Sequence, residues 1–168
     1  NYTYLLTDLL PATEYHVRAY AQNKIGLVYG EEKTFTTTKE VFSPTVTTAT
    51  ITQITETTAV AGGDVTSDGG ASVSERGVVY SISANPAITD LSSTIVRSGN
   101  GTGAFTCNLS NLQAGTTYYV RAYAINSKGT AYGDKISFTT ALPITLATVT
   151  TASIKLNTET TAVAGGTV

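Results

Sequence analysis

The chain of 168 residues holds one histidine and one cysteine, and these two bound its nucleophilic and soft-metal chemistry. A Ser-His-Asp triad or a histidine metal site would have to be built on His16. Cys107 as a nucleophile would need a base close by and an electropositive, accessible setting. A lone cysteine also excludes an intrachain disulfide and a multi-cysteine metal site. The run Gly99-Asn100-Gly101-Thr102-Gly103 has the glycine content of a phosphate cradle, which requires a helix N-terminus directly after it. Asp64, Asp68 and Asp90 are oxygen donors for Ca²⁺, which takes six to eight such ligands. Arg121 with Tyr123, and Arg18 with Tyr20, form Arg-x-Tyr pairs. Such a pair stacks on a sugar or a partner protein, or else its arginine lies across a neighbouring tyrosine as a modest cation–π contact. Asn1-Tyr2-Thr3, Asn100-Gly101-Thr102 and Asn108-Leu109-Ser110 fit the N-glycosylation pattern, which arises often by chance where Thr and Ser abound.

The elements that must position these residues follow from a repeat. Thr158 through Gly166 copies Thr55 through Gly63 without a change, at an offset of 103 residues. Tyr15-His16-Val17-Arg18-Ala19-Tyr20-Ala21 falls on Tyr118-Tyr119-Val120-Arg121-Ala122-Tyr123-Ala124 at the same offset, and Phe35-Thr36-Thr37 falls on Phe138-Thr139-Thr140. No gap is needed, and about half of the paired positions are identical. A fixed period of this kind marks stacked structural units. Residues 1–38 are expected to be the C-terminal half of one repeat, 45–140 a complete repeat, and 148–168 the N-terminal part of a third. Short joints with proline, around Pro44 and Pro143, suit extended and fairly stiff connections.

Within the complete repeat the apolar pattern has period two, and no 3.6-residue stripe persists for three turns. Strands are expected at Val46–Thr52, Thr57–Thr66, Ser74–Ser81, Ser92–Arg97, Ala104–Leu109, Thr117–Ile125 and Ala131–Thr139. Turns fall at Asp68-Gly69-Gly70, Asn85-Pro86, Gly99-Asn100-Gly101 and Asn126-Ser127-Lys128-Gly129. Seven short strands in about 100 residues is the signature of an immunoglobulin-like sandwich. The opening Asn1-Tyr2-Thr3-Tyr4 reads as a strand too, so no signal peptide starts the segment.

Alternation then assigns faces. Phe105, Cys107 and Leu109 point inward with Tyr2, Tyr4 and Leu6 as their counterparts; Thr106, Asn108 and Ser110 point outward. Tyr118, Val120, Ala122 and Ala124 point in, whereas Tyr119, Arg121 and Tyr123 point out. His16, the counterpart of Tyr119, is thus expected to be an exposed strand residue, and Cys107 a small core residue. A strand follows Gly103, so the glycine run is expected to be a hairpin turn. Asp64 matches Thr167, and no acidic cluster has ligand spacing; any calcium would sit between modules.

The stretch Leu112-Gln113-Ala114-Gly115-Thr116-Thr117-Tyr118-Tyr119-Val120-Arg121-Ala122-Tyr123-Ala124-Ile125-Asn126-Ser127-Lys128-Gly129 resembles the E–F corner, strand F and FG turn of fibronectin type III domains. Ser137-Phe138-Thr139-Thr140 resembles their last strand, and Glu75-Arg76-Gly77-Val78-Val79-Tyr80-Ser81 the third strand of the version found in tandem in secreted bacterial surface proteins. The resemblance implies tandem seven-stranded β-sandwiches, with Tyr118 and Tyr15 as tyrosine corners whose hydroxyls bond the backbone. The tryptophan common in the second strand of animal modules is replaced by Ala59, Ala61 and Gly63, which implies closer packing of the inner faces. No Arg-Gly-Asp tripeptide occurs, and integrin-type roles are not implied.

Composition narrows the function classes. Apolar residues are 41% of the chain and mean hydropathy is +0.06, enough for a core. Ten Lys and Arg nearly balance twelve Asp and Glu, and the basic residues form no stripe for nucleic acid. No apolar run is long enough to span a bilayer as a helix. No catalytic residue set, cofactor site or metal site is expected, so the chain is read as non-enzymatic. The primary reading is a structural spacer of a long extracellular bacterial surface or filament protein, whose partners are neighbouring repeats or other copies. The alternatives are an adhesin binding a glycan or protein through loops such as Ser67–Val73 and Asn126–Thr130, or accessory repeats of a secreted enzyme.

Overall fold

The computed structural model describes residues 2–156, 158 and 160–168. Asn1 of the Asn1-Tyr2-Thr3 pattern lies outside the described residues. Strands carry all the regular structure, and no helix occurs among the described residues. This is what a chain rich in Thr, Val and Tyr, with turn residues every few positions, dictates.

Between residues 45 and 139 the strands are β5 (Thr45–Thr48), β6 (Ala59–Ser67), β7 (Glu75–Ser81), β8 (Thr94–Arg97), β9 (Gly103–Leu109), β10 (Thr117–Asn126), β11 (Gly129–Tyr132) and β12 (Ile136–Thr139). One sheet has the order β5-β6-β9. The other has β11-β10-β7-β8, with β12 pairing the lower part of β10, and every ladder is antiparallel. The two sheets enclose one core. Val46, Ala59, Ala61, Val65, Phe105, Cys107 and Leu109 meet Val78, Tyr80, Tyr118, Val120, Ala122, Ala124 and Phe138 there. The alternation read from β9 holds residue by residue: Phe105, Cys107 and Leu109 are buried and Thr106 and Asn108 are exposed. The second-strand glycine brings the sheets close. A Cβ on Gly63 would lie 2.6 Å from the Ala122 Cβ of the opposite sheet and 2.5 Å from the Thr47 carbonyl oxygen.

Three local expectations are corrected. The first strand ends at Thr48 instead of Thr52, and beyond it only an isolated bridge joins Thr52 to Val60. The expected single strand Ala131–Thr139 is divided into β11 and β12 by a one-residue register shift, since Tyr123 faces Tyr132 but Thr117 faces Thr139. A side chain of the other sheet causes it: the Ala122 N–H donates to Thr48 Oγ1 (3.0 Å) instead of to the ladder. Gly133 is required beside this wedge, because a Cβ there would stand 2.6 Å from Thr48 Oγ1. The third correction concerns Tyr2-Thr3-Tyr4, which forms no strand. Its counterpart β9 is held by β6, and a lone extended segment without a ladder partner satisfies none of its backbone groups.

The flanking segments are slighter. β1 (Glu14–Val17) pairs β4 (Lys33–Thr36), and β2 (Tyr20–Gln22) pairs β3 (Leu27–Tyr29). At the other end, β13 (Thr150–Thr151) pairs β16 (Gly166–Thr167) and β14 (Lys155–Leu156) pairs β15 (Ala162–Val163).

Candidate functional site

The two tyrosines expected at corners do the same work in two places. The Gln113 N–H donates to Tyr118 Oη at 3.0 Å, and the Leu10 N–H donates to Tyr15 Oη at 2.8 Å. Each ring stacks on a phenylalanine of the last strand, Tyr118 on Phe138 and Tyr15 on Phe35, both at 5.8 Å between centroids. Thr140 Oγ1 closes the corner by donating to the Gln113 carbonyl (2.6 Å) and accepting from the Thr116 N–H (3.0 Å). These are structural uses of polar groups, since each bond satisfies backbone that would otherwise be left without a partner.

The loops at one end of the sandwich were the candidates for ligand binding, and their geometry is decided by Asn126. This side chain is buried, and its Nδ2 donates to the Phe42 and Asp68 carbonyls, each at 2.7 Å. Its Oδ1 accepts from the N–H groups of Lys128 (2.8 Å) and Gly129 (3.3 Å). The Phe42 N–H in turn donates to the Gly69 carbonyl at 2.8 Å. Gly69 has φ of +68°, and a Cβ there would run into the Phe42 carbonyl oxygen. The joint around Phe42–Pro44 is thereby laced to both loops that were expected to be free. At the opposite end the Ala141 N–H donates to the Thr55 carbonyl, and the Gly115 N–H to the Ala141 carbonyl, both at 3.0 Å. Joints therefore occupy both ends.

The Arg-x-Tyr pair divides its roles. Arg121 lies over Tyr132, not over Tyr123, at 4.5 Å from the ring centroid, and its Nε donates to the Gly133 carbonyl at 3.1 Å. Arg18 repeats this with Tyr29 (5.1 Å) and Gly30 (3.1 Å). Tyr123 sits on the outer side of its sheet as expected, but it is fully buried. It lies across Gly77, the residue facing it on β7, and donates its hydroxyl to Glu75 Oε1 at 2.7 Å. Arg97 Nε reaches the same oxygen at 3.1 Å. The Tyr123 hydroxyl, acting with Arg97 against partial desolvation, holds the Glu75 carboxyl below its ordinary range; burial first, then Glu75, pushes the Tyr123 phenol up. The loop between β7 and β8 helps to close this side: Pro86 is fully buried, and the Ile88 N–H donates to Tyr132 Oη at 3.0 Å. A residue on the outer face escapes solvent when a loop folds over it, and period-two patterning cannot register that.

The remaining candidates are dispersed. His16 is exposed and contacts Glu32 through Nδ1 at 3.0 Å. At the equivalent positions of the central sandwich Lys135 lies over the Tyr119 ring at 5.4 Å, so one cross-strand pair exchanges an ionic contact for a cation–π contact. Cys107 is buried, 4% exposed, with Sγ 3.6 Å from the Val96 carbonyl, and burial pushes its thiol up. Both observations oppose a thiolate nucleophile. The glycine run turns with positive φ at Gly99, Gly101 and Gly103 and leads into β9. Its Gly101, Thr102 and Gly103 carbonyls accept from Arg76 Nη1, so it offers oxygens to a cation, where a phosphate cradle would offer N–H groups. Asp90 bonds the Ser92 N–H and two serine hydroxyls, and Asp68 bonds the Gly70 N–H. Among the described residues no three His, Cys, Asp or Glu side chains gather as a metal site.

No family model and no curated protein matches the sequence. Among solved structures the chain is similar to the sensor domain of the anti-sigma factor RsgI4 of Pseudobacteroides cellulosolvens, at 17% identity and a TM-score of 0.46 over 62% of this chain and 100% of that one. It is also similar to the FN1–FN3 domains of chicken CNTN1, at 19% identity and a TM-score of 0.45 over 83% of this chain and 47% of that one. For domains A168–A170 of titin the values are 20% and 0.41 over 77% and 41%. The strand order described above defines the fold as an all-β sandwich of fibronectin type III-like arrangement.

Proposed function

We propose that this chain is a non-catalytic spacer segment, in which repeated sandwiches set distance in a long extracellular bacterial surface or filament protein. The observation that carries the reading is the occupation of both ends of the central sandwich by its own joints. Asn126, buried and fully hydrogen-bonded, ties the Phe42 carbonyl into the loop cluster, and Ala141 ties the other joint to Thr55 and Gly115. A sandwich whose ends are engaged in this way transmits orientation along a rod. An adhesive module needs those loops free and furnished with aromatic anchors, and Ser67–Val73 and Asn126–Thr130 carry none. Catalysis has no support in the dispersed positions of His16, Cys107 and the aspartates. The recurrence of the corner, the Arg-over-Tyr contact and the register shift at an offset of 103, with different outward residues between them, further supports a repeated scaffold.

Small-angle scattering of polypeptides holding two, three and four copies of residues 45–147 tests this reading. The expected maximum dimension grows by a constant increment on the order of 35 Å per copy, since a ten-residue strand spans roughly 33 Å. Growth that levels off, as in a compact cluster of modules, would refute a spacer. Saturable binding of a glycan or peptide to loops 67–73 and 126–130 would favour the adhesin.

A further inference from the structure

The segment of residues 2–38 presents an open apolar face. Tyr2, Tyr4 and Leu10 are more than 60% exposed, and Tyr2, Tyr4, Leu6, Val17 and Ala19 line a hollow of about 830 Å³. In the central sandwich the same positions are Phe105, Cys107, Leu109, Val120 and Ala122, all buried. What buries them there is β6, whose register sets Gly63 opposite Phe105, Ala61 opposite Cys107 and Ala59 opposite Leu109. The sequence of β6 from Ala59 to Gly63 recurs without change as Ala162-Val163-Ala164-Gly165-Gly166, and those residues are exposed.

A second feature gives the same register independently. In the central sandwich Thr48 of β5 wedges into the bulge of the other sheet, taking the Ala122 N–H and lying against Gly133. The first segment already carries this bulge: Glu14 faces Thr36 while Tyr20 faces Tyr29, and the Gly30 N–H donates to the Ala19 carbonyl at 2.7 Å. Yet the space beside Gly30 is filled by Ala19 alone, with no threonine. The socket is formed and the wedge is elsewhere. The counterpart of Thr48 is Thr151, held in β13 against Gly166 as Thr48 is held against Gly63.

We infer that residues 148–168 of one copy of this chain seat on residues 2–38 of a second copy. Ala162–Gly166 then forms an antiparallel ladder with Tyr2–Leu6, with Gly166 opposite Tyr2, Ala164 opposite Tyr4 and Ala162 opposite Leu6. Thr151 Oγ1 accepts the N–H of the second copy's Ala19. The two surfaces differ, so the contact is heterologous and propagates head to tail. It converts two unpaired strand edges into one ladder, the mode by which strand addition gives affinity. This goes beyond the spacer reading, which neither requires nor excludes association between copies.

The test mixes two variants of the 168-residue chain, Tyr4→Cys and Ala164→Cys, under a mild oxidant. Facing residues of an antiparallel pair have Cα atoms about 4.5–5.5 Å apart, within disulfide range. A mixed disulfide is expected in non-reducing electrophoresis, at least tenfold more abundant than with Leu5→Cys, whose side chain would lie on the other face. In sedimentation the unaltered chain is expected to grow in mass with concentration, and a peptide of residues 148–168 is expected to reverse that growth. A monomer at every concentration would overturn the inference. So would association that the peptide leaves unchanged, because it would place some other occupant, such as a further segment of the parent protein, on this face.

Discussion

Asn126 offers the sharpest test of how the joint is held. Its side chain makes four hydrogen bonds while 5% exposed, two of them donated to the Phe42 and Asp68 carbonyls at 2.7 Å. Asn126→Ala removes all four. Lys128 is exposed and its N–H can turn to water, so the loss is counted mainly from the two donated bonds and the carbonyls they leave behind. At about 1 kcal/mol net per bond, more where a buried acceptor is stranded, the expected destabilisation is about 2–4 kcal/mol. Asn126→Asp is the more telling change, because it keeps the Oδ1 acceptor and aims a carboxylate oxygen at two carbonyls. An uncompensated buried charge of this kind costs about 3–5 kcal/mol. The penalty has a pH signature. The folded protein would hold that carboxyl protonated more readily than the unfolded chain, so the variant loses most stability at neutral pH and recovers as pH falls. Urea melts followed by circular dichroism at pH 7 and at pH 4 measure both effects. Asn126→Ala within 0.5 kcal/mol of the parent, or an Asp variant equally unstable at both pH values, would refute the claim that this residue clamps the joint, since ordinary surface changes fall within that margin.

Tyr118→Phe should destabilise the central sandwich by about 1 kcal/mol, the usual net worth of one hydrogen bond, and a neutral result in the same melts would remove the corner's role. The Glu75 carboxyl, held below its ordinary range by the Tyr123 hydroxyl and Arg97, contributes stability that is present above its unfolded pKa and lost as pH falls through its lower folded value. Glu75→Gln should therefore be less stable than the parent at pH 7 and converge with it in acid; a constant difference across that range would contradict the linkage. Cys107, buried and with its thiol pushed up, should resist a thiol reagent in the native chain and react fully on unfolding, and rapid native labelling would show the inner face of β9 to be wrongly placed.

What the sequence makes legible is whatever depends on spacing alone. Period-two alternation places Phe105, Cys107 and Leu109 in the core because each β9 side chain has only two directions available. The 103-residue offset transfers the corner from Tyr118 to Tyr15 because its partners, Thr140 with Gln113 and Thr37 with Leu10, keep the same separations. Two things stay hidden, for different reasons. The division of the last strand depends on Thr48, a residue of the opposite sheet more than seventy positions away, and no local pattern carries such a contact. The burial of Tyr123 depends on Gly77 lying opposite it and on the loop of Pro86 and Ile88, so the outer face gains a small covered layer of its own.

The segment of residues 2–38 separates these two sources of information. Tyr20 has the same neighbours in sequence as Tyr123, but no strand equivalent to β7 lies beside it. It is 64% exposed and leans on Tyr29 at 6.4 Å. Arg18 nevertheless keeps its place over Tyr29, its bond to Gly30 and the register shift, all of which arise within β1 to β4. Contacts between strands adjacent in sequence are thus set by the local chain, whereas burial is set by strands that only tertiary pairing supplies. A site read from sequence in such a protein is trustworthy to the extent that its partners come from the same hairpin. By that measure the arginine–tyrosine contact was within reach of sequence reasoning, and the Asn126 clamp, which draws on the joint, the second loop and the sixth together, was not.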